Sequence, residues 1–162
     1  MTDIIFSHEG LLDKYMGDGL MALFGVAYAA DEAPANAVKA AIDMQRRMVS
    51  LREIFNEKFG NLVSIGIGIN TGTITVGYIG SNRRMEYTGI GDAVNLAARL
   101  ESNTKPSQIL VSTVTHQLLK GEFPTRPLGK IMVKGKSEPQ EVFEVIWQEQ
   151  TEPAPAPEEG KS

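Results

Sequence analysis

Leu11-Leu12-Asp13-Lys14-Tyr15-Met16-Gly17-Asp18-Gly19-Leu20-Met21-Ala22-Leu23-Phe24-Gly25 consists of two apolar runs on either side of Gly17-Asp18-Gly19. Apolar runs joined by glycine and aspartate predict a tight β-hairpin, with the Asp18 carboxylate held at its tip. A carboxylate on a rigid turn is placed to hold a metal ion or a metal-bound phosphate. It is equally an ordinary turn residue, because Asp and Gly both suit such turns. Lys14 is either a solvated strand residue or a cation delivered beside that tip.

Working outward, Thr2 to His8 reads as the end of a helix, with Gly10 as its stop. After the hairpin, Asp31-Glu32-Ala33-Pro34 leads into a long helix from Asn36 to Lys58. Its apolar residues Ala37, Ala41, Met44, Met48, Leu51 and Phe55 fall at alternating four and three spacing, so one stripe faces a core. Gly60 ends it. Val63, Ile65, Ile67 and Ile69 alternate with Ser64, Gly66 and Gly68. That predicts a strand with one apolar face and one nearly bare face, onto which a helix, backbone or ligand can close.

Asn70-Thr71-Gly72 turns the chain. A second strand covers Ile74 to Tyr78 and a third segment Arg84 to Thr88. A helix follows from about Ala93 to Ser102, stopped near Lys105-Pro106. Gln108 to Val111 reads as a strand, Thr113 to Leu119 as a short helix, and Ile131 to Val133 with Val142 to Trp147 as a terminal strand pair. The mixture predicts an α+β sandwich, a mostly antiparallel sheet with helices on one face. From Gln148 onward Glu and Pro dominate, so residues 148–162 are expected to be a disordered tail after a domain of residues 1–147.

The 162 residues suffice for one domain with a core of its own. A formal net charge of -4 with no basic block argues against nucleic acid as a partner. There is no cysteine and there are only two histidines, His8 and His116, which excludes thiolate sites and disfavours zinc. No apolar run is long enough to span a membrane and no signal peptide is visible, so the expected location is cytoplasmic, with a membrane tether in a longer parent left open.

Further candidates lie downstream. Asp92, Asn95 and Arg99 fall at three and four spacing on one helix face. Such a face is often only polar exterior, but Val94, Ala97 and Leu100 already supply the inner side, and an Asn–Arg pair suits phosphate and ribose. Lys134-Gly135-Lys136 is either a basic turn or a lysine delivered to a phosphate chain. In order, the chain carries Lys14-Tyr-Met-Gly-Asp18, Gly66-Ile-Gly-Ile-Asn70-Thr-Gly72, Val76-Gly77-Tyr-Ile-Gly80, Tyr87-Thr88-Gly-Ile-Gly91-Asp92-Ala-Val-Asn95-Leu-Ala-Ala-Arg99 and Val133-Lys134-Gly-Lys136. This series resembles the catalytic domain of class III nucleotidyl cyclases, the adenylate and guanylate cyclases, over residues 1 to 147.

The resemblance implies a ferredoxin-like sandwich and a reaction. The ribose 3′-hydroxyl of a nucleoside triphosphate attacks its own α-phosphorus and pyrophosphate leaves, helped by two Mg2+ or Mn2+ ions. It implies that Asp18 is the second of two metal-binding aspartates, and that Lys14 and Thr88 read the purine edge. Asn95 would orient the ribose, Arg99 stabilise the transition state and Lys134 bind the phosphates. The Lys–Thr pair resembles a bacterial-type subgroup of adenylate cyclases. A lysine donor suits adenine N1 and a threonine oxygen can accept from the adenine amino group, so ATP is favoured over GTP. The family's sites form between two catalytic domains head to tail, which implies a homodimer as partner.

One departure stands out. The family's first strand, with a Phe-x-Asp-Ile-x-Gly-Phe type motif and the first metal aspartate, has no match. Asp3-Ile4-Ile5-Phe6-Ser7 echoes it but lacks the glycine and lies too close to Asp18. The expectation is a domain lacking its first strand and first helix, with little activity alone and a tendency to self-associate across the vacant strand position. The alternative is a non-catalytic, cyclase-like module that binds nucleotide or regulates a partner chain. A diguanylate cyclase would need a Gly-Gly-Asp/Glu-Glu-Phe turn, which Met16-Gly17-Asp18-Gly19-Leu20 is not.

Overall fold

The computed structural model describes residues 1–27, 30–60, 63–81, 84–132 and 139–148. Helix α1 (Thr2–Ser7) leads into strands β1 (Leu11–Met16) and β2 (Gly19–Leu23), which pair antiparallel as the expected hairpin. Gly17 turns it with φ +65°, the left-handed value that tight hairpin turns require and glycine supplies without strain. A short 3₁₀ turn (Ala30–Glu32) precedes helix α2 (Ala33–Phe59). Pro34 sits in the first turn of α2, where no backbone donor is lost, and Gly60 closes it with φ 66°. Ala37, Ala41, Met44 and Met48 are buried as their spacing predicts, and Val38, Ala40 and Gln45 widen the buried face.

The chain continues through β3 (Ile67–Ile69), β4 (Thr75–Ser81), β5 (Arg84–Ile90), α3 (Asp92–Ser102), β6 (Ile109–Ser112), α4 (Thr113–Leu118), β7 (Thr125–Ile131) and β8 (Gln140–Val145). The strand expected over Val63–Ile69 is shorter than its alternation suggests. Its first half gives its carbonyls elsewhere: Val63 O accepts from Arg52 Nε at 3.3 Å, and Ile65 O accepts from Gln45 Nε2 at 3.0 Å and from the Ser107 amide at 3.0 Å. Conversely, β7 begins at Thr125, earlier than the expected Ile131, and bulges between Pro127 and Gly129. Lys134, in the expected terminal turn, and residues 149–162 of the expected disordered tail lie outside the described residues.

Four strands form one sheet in the order β3-β6-β8-β7, parallel between β3 and β6 and antiparallel elsewhere. All four residues of β6 are buried, which happens to a strand covered on both faces. Ile109 and Val111 pack with Val38 and Ala41 of α2 and with Leu119 and Val145. Leu110 points the other way, into a cluster with Leu100 of α3 and Val142 of β8. The α+β class therefore holds, but the helices cover both faces of this sheet rather than one.

The bare face of β3 explains how α3 fits. Ile67 and Ile69 join the α2 side of the core, while Gly66 and Gly68 face the other way. A Cβ at Gly68 would meet Ala97 O of α3 at 2.5 Å and Glu101 Cα at 2.9 Å. Glycine there lets the helix backbone lie directly on the strand. The β1–β2 hairpin and the β4–β5 ribbon are separate two-stranded sheets, and β3 is an edge of the larger one.

Candidate active site

Register in the hairpin decides what β1 presents. Leu12 pairs with Ala22, but Lys14 pairs with Met21, so Asp13 is an extra residue with no counterpart on β2. Such a bulge re-aims the residue it inserts. The Asp13 side chain is 1% exposed, and it leaves the hairpin to reach the β4–β5 ribbon. Asp13 Oδ1 accepts from the Gly89 amide at 3.0 Å, and Asp13 Oδ2 accepts from Thr88 Oγ1 at 2.9 Å. Lys14 Nζ lies 3.4 Å from the same Oδ2. One buried carboxylate thus gathers Lys14 and Thr88, residues from different sheets and far apart in sequence.

Sequence reasoning singled out Lys14 and Thr88 and missed Asp13. The available signal was an acid following Leu11-Leu12 within an apolar strand. A buried carboxylate is costly without partners, so its burial required donors from elsewhere. Only the packing identifies those donors, 75 and 76 residues away.

Thr88 is buried, while Lys14 keeps a third of its side chain open to solvent. From Thr88 the chain runs through Ile90 to Gly91, whose φ of 147° is another glycine-favouring value, and straight into α3. That turn places the start of α3 directly after β5. Asn70 Nδ2 donates to Ala93 O at 2.9 Å, tying the exit of β3 to the first turn of α3. Asn95 is exposed and Arg99, one turn on, is half-buried. Asp92, Asn95 and Arg99 lie along one side of this helix, as their spacing predicts.

Asp18 is exposed at the hairpin tip. Mg2+ is commonly held by one or two carboxylates together with substrate phosphates and water, so Asp18 fits as one ligand of such an ion. Among the described residues no group of three or more His, Cys, Asp or Glu side chains converges on a metal position. The β4–β5 ribbon carries exposed Tyr78, Met85 and Tyr87 on the face opposite Thr88, with the two tyrosine rings edge to face at 5.1 Å. Tyr15 and Met16, at the end of β1, are exposed as well. Among the described residues no helix is long and apolar enough to cross a membrane.

Residues 4–146 match the family model for the adenylate and guanylate cyclase catalytic domain. The chain is 42% identical over 142 residues to the adenylate cyclase "terminal-differentiation specific" of Dictyostelium discoideum, covering 85% of this chain and 6% of that protein. It is 37% identical over 145 residues to an adenylate cyclase of Anabaena cylindrica, covering 84% of this chain and 28% of the relative. It therefore spans only a minor part of these curated relatives. Among solved structures, the adenylyl cyclase CyaB from P. aeruginosa superposes with TM-score 0.86 at 37% identity, covering 93% of this chain and 78% of that one. The guanylyl cyclase Cya2 superposes with TM-score 0.80 at 32% identity, covering 89% and 73%.

Proposed function

The chain belongs to the adenylate and guanylate cyclase catalytic domain family, and from that premise we propose that it acts on ATP, forming 3′,5′-cyclic AMP and pyrophosphate. The observation that carries the choice of ATP is the gathering of Lys14 and Thr88 on Asp13 Oδ2. Relatives of both nucleotide types superpose on this chain, so the base preference has to come from such residues. Lys14 donates to adenine N1, and Thr88 Oγ1 accepts from the adenine amino group.

In this reading Asn95 orients the ribose so that its 3′-hydroxyl faces the α-phosphorus. Arg99 offsets the charge that builds on the phosphate oxygens as the new bond forms. Lys134 holds the triphosphate. Asp18 supplies a carboxylate to Mg2+ or Mn2+, from the opposite protomer of a head-to-tail homodimer. When bound, the divalent ion makes the attacking hydroxyl more acidic and offsets charge on the departing pyrophosphate. Exposed Tyr15, Met16, Tyr78, Met85 and Tyr87 supply apolar surface suited to contact with a second chain.

The test is product analysis. Purified chain with Mg2+ or Mn2+ should convert ATP to cyclic AMP in preference to GTP to cyclic GMP, with specific activity rising with protein concentration. Arg99→Ala should lower cyclic AMP formation by roughly 100-fold. Predominant cyclic GMP, or an Arg99→Ala variant of unchanged rate, contradicts the assignment. A second reading is a nucleotide-binding module without turnover. ATP binding without any product selects it.

A further inference from the structure

We infer that Asp13 is a specificity-determining residue: by taking the Thr88 hydroxyl hydrogen, it leaves Thr88 able only to accept, and so selects the purine with an amino group at its 6-position. The inference rests on the base-reading role proposed for Lys14 and Thr88.

A threonine hydroxyl has one hydrogen to donate and lone pairs to accept with. Left free to rotate, it can accept from the 6-amino group of adenine or donate to the 6-oxygen of guanine, so it discriminates poorly. Thr88 is not free. Its Oγ1 lies 2.9 Å from Asp13 Oδ2, and a carboxylate can only accept. Among the described residues the other acceptor within reach, the Gly89 carbonyl, is at 3.5 Å, the outer limit for such a bond. The hydrogen therefore goes to Asp13.

The carboxylate cannot turn away, because Oδ1 is held by the Gly89 amide at 3.0 Å and its side chain is 1% exposed. The bulge that inserts Asp13 into β1 is what allows this reach. Thr88 thus faces the site with lone pairs alone. Those match an amino donor and oppose a carbonyl oxygen, which would be left unpaired against another acceptor. Asp13 Oδ2 also lies beside Lys14 Nζ, which keeps the second base-reading group on the same anchor.

Asp13→Asn separates this role from a structural one. Asparagine has the same shape, its Oδ1 still accepts from the Gly89 amide, and its amide can donate to Thr88 Oγ1. The hydroxyl hydrogen is then released toward the base. Equilibrium binding of ATP and GTP to the full chain with Mg2+, by competition against a fluorescent ATP analogue, reads the result. The wild-type chain should prefer ATP, and Asp13→Asn should lower the ATP-to-GTP affinity ratio by about tenfold or more. Thr88→Val should also lower it, and in the Thr88→Val background Asp13→Asn should lower it less than in wild type, leaving only the part that acts through Lys14.

A wild-type chain without ATP preference overturns the base-reading role itself, and this inference with it. An ATP preference that survives Asp13→Asn, or a loss equally large in the Thr88→Val background, overturns the Asp13 inference alone. Hydroxyl-proton NMR on the wild-type chain needs neither variant nor nucleotide. A Thr88 hydroxyl proton held by Asp13 should exchange slowly enough to be observed, and exchange at the bulk rate refutes the inference.

Discussion

Gly68→Ala is the sharpest test of how α3 is seated. The added Cβ would lie 2.5 Å from Ala97 O and 2.9 Å from Glu101 Cα, with the Glu101 amide nitrogen also in collision, where ordinary contact begins at 3.4 Å. All three are backbone atoms of α3, so no rotamer change relieves the overlap. The helix must retreat by roughly an ångström, and a gap of that size forfeits about a quarter to a half of the dispersion attraction along the seam. Overpacking of a close-packed core costs about 1–3 kcal/mol, and rigid backbone on both sides puts this case near the upper end. For a chain of this size each kcal/mol lowers the melting temperature by about 2–4 °C, so a fall of roughly 6–12 °C is expected. Thermal unfolding followed by circular dichroism measures it. Gly77→Ala is the control: a Cβ there meets nothing within 4 Å, so its effect should stay within about 0.5 kcal/mol. A Gly68→Ala protein melting within about a degree of wild type would falsify the close approach of β3 and α3.

Two further stability predictions follow from the same packing. Leu100 is 0% exposed and packs with Leu110 and Val142, so Leu100→Ala should cost about 2–5 kcal/mol, seen as a lower urea midpoint at unchanged slope. Ser112 caps α4 by accepting from the Thr115 amide at 3.3 Å, so Ser112→Ala should cost about 1 kcal/mol in thermal unfolding and Ser112→Thr should recover most of it.

Much of the fold was legible locally. The hairpin followed from two apolar runs around Gly17-Asp18, because a left-handed turn residue between strands has few other uses. Helix α2 followed from the stripe Ala37, Ala41, Met44 and Met48. Gly66 and Gly68 announced a close neighbour, although not which one. The family pattern was legible too, since Lys14, Asp18, Thr88, Asn95 and Arg99 stand in short motifs whose order survives without any knowledge of packing.

Other features depended on distant partners. The sequence predicts a strand over Gln108 to Val111 but not that α2 and α3 would cover opposite sides of its sheet, because a short apolar run does not say what buries it. Val63 and Ile65 alternate as a strand should, yet their carbonyls bond to Arg52, Gln45 and Ser107, a competition that alternation cannot express.

By itself, the sequence determined the hairpin, the helices, the bare face of β3 and the family motifs, all properties of spacing along a few residues. Only the tertiary structure decided that Asp13 leaves its own strand through a bulge and binds Thr88 and Gly89. A buried carboxylate must find donors, and the nearest ones in space are 75 residues away in sequence.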